Sequence, residues 1–320
     1  MQVDLIDRFT PDLDAFAVDS KDATFYHSGT WIESLSQSFP RMTFQCFVAR
    51  SGNEILGYLP FFIVKKGPLN TAWSLPFGTY GGPVVGDDPD VADALVESFR
   101  RLKNRGGIHE VGLVDFTGRF ARGLGRQIEE TTHVLELEDD FDSLRAGRFE
   151  KSKRRQARKA RREGVRVEEA RTPDEVSKYH GIYARRTAEW GERFTYPEEF
   201  FVKLFEKGNG RVRLFLAWEG DDLVGGHLNF YFKDTVIAWN GVTASPGSGS
   251  QASTLLYNEC IRHACENGFR FYNLGGSLGK RSLIEYKESI GGVLFRYQTG
   301  VWRSLGGKVA SALKGFVPGR

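Results

Sequence analysis

Two stretches decide how the chain is organised: "FVARSGNEILGYLPFF" at residues 47–62 and "FLAWEGDDLVGGHLNF" at residues 215–230. They lie a constant 168 positions apart, and Phe47/Phe215, Ala49/Ala217, Gly52/Gly220, Gly57/Gly225 and Phe62/Phe230 are identical. Each reads as a strand, a tight turn on Gly with Asn or Asp, and a second strand. Behind each hairpin come another aromatic-rich segment, a helix (about 89–105 and about 251–267), a Gly stop (Gly107, Gly268) and a short apolar strand (108–116 and 269–274). The shared order of elements points to duplication. It contains no run of βαβ units, which argues against a doubly wound dinucleotide fold. The fold class expected is α/β of the α+β kind. Two tandem domains, 1–140 and 141–320, should each build a mixed, mostly antiparallel sheet flanked by helices.

At the junction lies "RAGRFEKSKRRQARKARREGVR", residues 145–166, with eleven Lys/Arg against two Glu. The whole chain carries only +3, and outside this segment 33 bases face 39 acids. The basicity is therefore local. At helical spacing Phe149, Ser152, Gln156 and Ala160 form one narrow stripe, with charge on every other side. Such a helix is either solvated or lies along a polyanion.

With 320 residues, 40% hydrophobic and 25 Phe, the chain is globular and long enough for two cores. Its longest apolar run, 55–64, is broken by Gly57 and Pro60 and is too short to span a membrane. The start "MQVDLIDRFT" lacks the basic and apolar blocks of a secretory signal, so the cytoplasm is the expected compartment. Cys46, Cys260 and Cys265 show no ligand spacing, and the six His include no HxH or HxxxH pair. No metal site is expected.

A basic "RRQARKARREGVRV" (154–167) opening a second acyltransferase-like half resembles the Fem peptidoglycan-bridge family, a branch of the GNAT N-acyltransferases. "FYHSGTWIESL" (25–35), "SLPFGTYGG" (74–82) and "TLLYNECIRHACENGFRFYNLGGSLGKRSLIEYKESIGG" (254–292) agree with it in the same order. The resemblance implies two tandem GNAT-like domains. It also implies transfer of an acyl or aminoacyl group, from aminoacyl-tRNA or acyl-CoA, onto an amine of a cell-envelope or polysaccharide precursor, as in cell wall (peptidoglycan) biogenesis. No tightly bound cofactor and no DNA partner is implied, and peripheral membrane association would suit an envelope-linked acceptor. Two alternatives stand beside it: a CoA-dependent acetyltransferase of a small-molecule amine, and a non-enzymatic nucleic-acid binder using residues 145–166.

Amine acylation needs a cradle for the donor's phosphates, hydrogen-bond donors for the oxyanion and a route for the amine's proton. The Gly/Ser loop "SPGSGSQAST" (245–254) leading into a helix supplies a cradle at Gly247, Ser248, Gly249 and Ser250. The matching place in the first half, "GDDPDVADAL", is crowded by Asp87, Asp88 and Asp90, so the donor site belongs to the second half. Ala244 stands where the usual GNAT cradle has Arg or Gln, which favours a tRNA-borne donor and gives Arg154, Arg155 and Arg158 the task of steering it. In "EYKESIGG" (285–292), which resembles the family's F-K-x-x-(F/x)-G element, Tyr286 takes the aromatic place. The resemblance sets Lys287 near the transferred carbonyl, with Glu285 beside it. For a proton acceptor the sequence offers His227, Glu285 and the backbone beside Asn273, and none stands out. Trp31, Tyr80 and Gly81 are the candidates for the acceptor cleft. Trp31 is followed by Glu33, Ser34 and Leu35 rather than a basic residue, which tells against a muramyl-pentapeptide acceptor.

Overall fold

In the computed structural model, which describes residues 1–65, 70–120, 125–192, 194–244 and 251–304, the two quoted stretches are hairpins of the same register. Ala49, Arg50 and Ser51 pair with Gly57, Ile55 and Glu54. Ala217, Trp218 and Glu219 pair with Gly225, Leu223 and Asp222. Every pair is repeated at the same offset, including the one-residue bulge that leaves Leu56 and Val224 unmatched. The turn glycines Gly52 and Gly220 have φ of 59° and 60°, a left-handed conformation that glycine adopts without steric cost. A bulge and a turn conserved at constant spacing carry the duplication further than five identities could.

The chain divides into two units, Met1–Glu130 joined by the segment from Arg296, and Thr131–Phe295. The first contains β1 (Gln2–Ile6), α1 (Pro11–Asp19), α2 (Gly29–Ser38), β2 (Met42–Ser51), β3 (Glu54–Val64), β4 (Asn70–Ser74), β5 (Val84–Val85), α3 (Pro89–Arg101) and β6 (Ile108–Asp115). β7 (Arg126–Glu136) begins in this unit and ends in the second. There follow α4 (Phe141–Arg148), α5 (Lys151–Arg162), β8 (Val165–Glu169), α6 (Pro173–Glu189), α7 (Glu198–Lys207), β9 (Val212–Glu219) and β10 (Asp222–Phe232). The second unit closes with β11 (Thr235–Thr243), α8 (Ala252–Glu266), β12 (Phe271–Asn273) and α9 (Arg281–Ser289), and β13 (Val293–Arg303) leads out of it.

Each unit builds its sheet by one rule. In the first, β1, β2, β3 and β4 pair antiparallel in turn, and β4 lies parallel to β6. In the second, β8, β9, β10 and β11 pair antiparallel, and β11 lies parallel to β12. The parallel step needs a crossover, which α3 and α8 provide. α3 starts on Asp88, whose carboxylate accepts from the Asp90 N–H, with Pro89 preset for the first turn. It buries Val91, Ala92, Leu95, Val96 and Phe99, one helical face, against Leu59, Phe61, Ala72 and Val111. α8 does the same in the second unit with Leu255, Leu256 and Cys260.

The last place in each sheet is filled from the other end of the chain. β6 pairs antiparallel with β13, and β12 with β7. The expected boundary at 140/141 is therefore corrected. The cut falls at 130/131, and the segment from Arg296 returns to the first unit. Periodicity reveals a strand but not its partner, so this exchange was invisible in the sequence. The expected single basic helix is also corrected, because the backbone turns out at Phe149 and Glu150, where the Glu150 N–H donates to the Ser289 carbonyl. Phe149 and Ala160 are buried as the stripe requires, with Ala157 beside them and Gln156 half-buried.

One glycine of the first unit is a packing necessity. A Cβ on Gly81 would stand 1.7 Å from the Ser74 carbonyl oxygen, while one on Gly78 would meet nothing, although Gly78 has a φ of 68°. Gly81→Ala is expected to destabilise the first unit by about 3 kcal/mol or more, and Gly78→Ala by about 1–2 kcal/mol from its left-handed backbone. Urea unfolding of the two variants compares them. Equal midpoints would show that the loop over Ser74 yields freely.

Candidate active site

β11 and β12 are paired only at 235–237 and 271–273. Beyond these residues lies one group of the second unit's buried polar side chains. After Asn273 the chain turns through Gly275 at φ 75°. The Asn273 Oδ1 accepts from the Gly275 N–H at 2.9 Å and from the Thr132 hydroxyl at 2.7 Å, and so holds the turn. The Gly275 and Gly276 carbonyls then both accept from the Lys287 ammonium of α9, each at 2.7 Å. Two of its three N–H bonds are thereby committed. Lys287 is 4% exposed, and burial brings its pKa down to about 8.

Two imidazoles flank this ammonium. His133, on β7, is buried, and neither ring nitrogen has a hydrogen-bond partner among the described residues. Burial, and then the charge on Lys287, lower its pKa against the opposing pull of Glu288. His227, on β10, is buried too. Burial holds its pKa down to about 4, with the Asn229 hydrogen bond acting against this and the Lys287 charge in the same direction. Both rings are neutral at pH 7. A Cβ on Gly241, the residue of β11 opposite His227, would lie 2.4 Å from the His227 ring. Only glycine leaves the imidazole its place.

Tyr286 sits in the roof. Its hydroxyl donates to Thr254 Oγ1 at 3.4 Å, its ring lies 5.5 Å from Tyr257, and burial pushes its pKa up to about 12. The Lys153 ammonium stands 4.5 Å from the Tyr286 ring centroid, a cation–π contact, and Thr254 also donates to Gln156. Through these two contacts α5 is fastened to the helices that carry the site. Its outer side, with α4, forms a groove of about 500 Å³ lined by Asp142, Arg145, Lys151, Ser152, Arg154, Arg155 and Arg158. Arg145 pairs with Asp142 at 3.1 Å. No carboxylate among the described residues pairs with Lys151, Arg154, Arg155 or Arg158. An unneutralised cluster of this kind draws polyanions.

The sequence-derived candidates are thus dispersed. Lys287, Tyr286 and the three arginines belong to one connected region of the second unit. Glu285 does not join them. It is exposed and accepts from Arg281 at 2.7 Å, because two residues along a helix turn a side chain to a different face. Gly247, Ser248, Gly249 and Ser250 lie outside the described residues. In the first unit Trp31 is fully buried, its ring 4.9 Å from Tyr26, and Tyr26 is 5.5 Å from Tyr80. Tyr80 stacks on Phe116 at 4.0 Å, so both proposed acceptor aromatics are packed within a cluster. Gly81 is pressed against Ser74. Sequence reasoning missed His133, Asn229, Gly241 and Thr254. Only "HLN" at 227–229 carried a signal, since two polar residues two apart in an apolar strand share one buried face.

Residues 147–288 match the family profile described as acetyltransferase (GNAT) domain. No curated protein sequence matches the chain. Among solved structures, FemX aligns over 97% of this chain and 99% of its own, at 12% identity and a TM-score of 0.73. L-PGS from Bacillus licheniformis aligns over 96% and 98%, at 14% identity and a TM-score of 0.58. A tandem GNAT protein from the clavulanic acid biosynthesis pathway aligns over 94% and 98%, at 16% identity and a TM-score of 0.57. At such identities the likeness is one of fold. Among the described residues no group of His, Cys, Asp and Glu could hold a metal ion, and no helix is long and apolar enough to cross a membrane. Residues 147–288 are thus a GNAT acetyltransferase domain, which makes the chain an acyltransferase, and over its whole length the chain shares the fold of these Fem-like and tandem structures.

Proposed function

We propose that the chain transfers an aminoacyl group from aminoacyl-tRNA to an amine of a cell-envelope precursor, with the chemistry in the second unit. The supporting observation is the basic groove, with four cations of α5 that no carboxylate among the described residues pairs, fastened through Lys153 and Tyr286 to the helix that carries Lys287. An RNA backbone offers a row of phosphates to such a groove. The amine attacks the ester carbonyl, and negative charge grows on its oxygen. The third N–H of Lys287, which has no partner among the described residues, can meet that charge, while Gly275 and Gly276 hold the ammonium in place before the reaction begins. The acceptor class is inferred from the resemblance to the Fem family and from the likeness to FemX and L-PGS.

A second reading, a CoA-dependent acetyltransferase, is favoured by the acetyltransferase profile over 147–288 and by the likeness to the tandem GNAT protein. Equilibrium binding separates the two. Charged tRNA should bind the full chain in the micromolar range or tighter at 50 mM salt and weaken steeply as salt is added, whereas acetyl-CoA should bind feebly. Tight acetyl-CoA binding with no tRNA binding would sink the first reading and establish the second.

A further inference from the structure

Of the two imidazoles beside Lys287, only one is oriented. The Asn229 Nδ2 donates to the His227 main-chain carbonyl at 3.0 Å and to the Cys260 sulfur at 3.4 Å. A carbonyl oxygen can only accept, so the flip of this amide is forced and its Oδ1 faces His227 Nδ1 at 3.0 Å. Oδ1 also accepts from the Tyr272 hydroxyl at 2.6 Å. An amide oxygen cannot donate, so His227 Nδ1 must carry the hydrogen and Nε2 must carry the lone pair. That Nε2 edge overlies Gly241, where an added Cβ would stand 2.7 Å from Nε2. Gly241 lies four residues past Ile237, the last residue of β11 paired with β12. On the other side of the same gap stand Gly275, Gly276 and the Lys287 ammonium. A base with a fixed tautomer, held by a third group, and a fixed cation whose charge it feels stand beside the place where two strands cease to pair. This is the constellation of a proton-transfer centre.

Resting on the transfer reading above, we infer that His227 is a catalytic residue, the proton acceptor for the attacking amine, with Asn229 and Tyr272 as its positioning residues. As the amine nitrogen bonds to the acyl carbon, one N–H proton passes to His227 Nε2. As the ester C–O bond breaks, the same proton passes from Nε2 to the departing ribose oxygen. One proton leaves nitrogen, one reaches oxygen, and the imidazole ends neutral. The neighbouring ammonium makes the imidazolium a short-lived, strong acid, well suited to protonate a leaving alkoxide. His133 has no such orienting partner and takes no part in this step.

Two measurements test the assignment on the full chain. In protein labelled with 15N-histidine, the ring signals lost in H227Q should report a protonated Nδ1 and a bare Nε2 before any substrate is added. The opposite tautomer, or a ring exchanging between both, overturns the assignment whatever the donor. Next, turnover is measured with alanyl-tRNA and with acetyl-CoA, using hydroxylamine as the amine probe. H227Q should lose about 10²-fold or more in kcat with little change in KM. H227G should recover rate with added imidazoles in proportion to their basicity. A folded H227Q with wild-type turnover, or rescue indifferent to basicity, overturns the proton role and leaves the transfer reading standing. A wild-type chain inert toward both donors overturns the transfer reading, and the base with it.

Discussion

Lys287→Ala will lower turnover by about 10²–10³-fold, the loss seen when one oxyanion donor is removed, and it will also destabilise the second unit. A surface lysine at this position would have left stability untouched. The buried ammonium holding two carbonyls makes that untenable, because its loss leaves both acceptors unsatisfied. Lys287→Arg will rescue poorly, since a planar guanidinium cannot occupy the site of a compact ammonium. Lys287→Met keeps the length and removes the charge, and so separates the two effects. The pH dependence follows from the pKa of about 8 against the ordinary lysine value of 10.5. Below pH 8 the lysine is charged in both the folded and the unfolded chain, and the folded state bears the cost of burying it. Between about 8 and 10.5 the unfolded chain holds the extra proton, so stability relative to Lys287→Met rises with pH. Turnover falls through the same window as the ammonium is lost. Activity and relative stability moving in opposite directions is a signature that a merely structural lysine would not give. Urea titrations and kcat at pH 7, 8 and 9 provide the check, and parallel movement of both quantities would refute the assignment.

Reversing charge at Arg154, Arg155 and Arg158 is expected to weaken tRNA binding most at low salt. Each phosphate contact removed takes about 0.7 from the slope of log affinity against log salt for single-stranded nucleic acid, so the triple glutamate variant should show a slope shallower by about 2. Its deficit against wild type should then shrink roughly fifteenfold between 50 and 200 mM salt. Stability should hold, because Arg155 and Arg158 are exposed, Arg154 is only half-buried, and none of them has a described ion-pair partner. Wild-type affinity for tRNA and acetyl-CoA alike would mark α5 as a solvated connector.

The doubled architecture was legible because a hairpin announces itself locally, through Gly52 and Gly220 and the alternation around them. The contrast in charge between the halves was legible because charge is countable, with Asp87, Asp88 and Asp90 on one helix start and the arginines before β8. Lys287 was singled out through resemblance, and its burial could not be foreseen, since "EYKESIGG" is as polar as a surface helix. What makes it buried is distant in sequence, the carbonyls of Gly275 and Gly276 and the strand carrying His133. The His227–Asn229–Tyr272 arrangement escaped for the same reason. Hydrogen bonds spanning 43 residues leave no periodic trace.

The exchange of β7 and β13 gives the molecule a timetable. A ribosome delivers residues at about 5–20 per second, and the edge of β6 must wait through the synthesis of the whole second unit before β13 arrives to cover it. Until then Val111, Leu113 and Val114 belong to an open sheet edge, the kind of surface that invites a stranger's strand. The second unit suffers no such delay, since β7 is made before the rest of it. The half that was translated last is thus the first able to close, and the older half matures only when the younger one hands back its final strand.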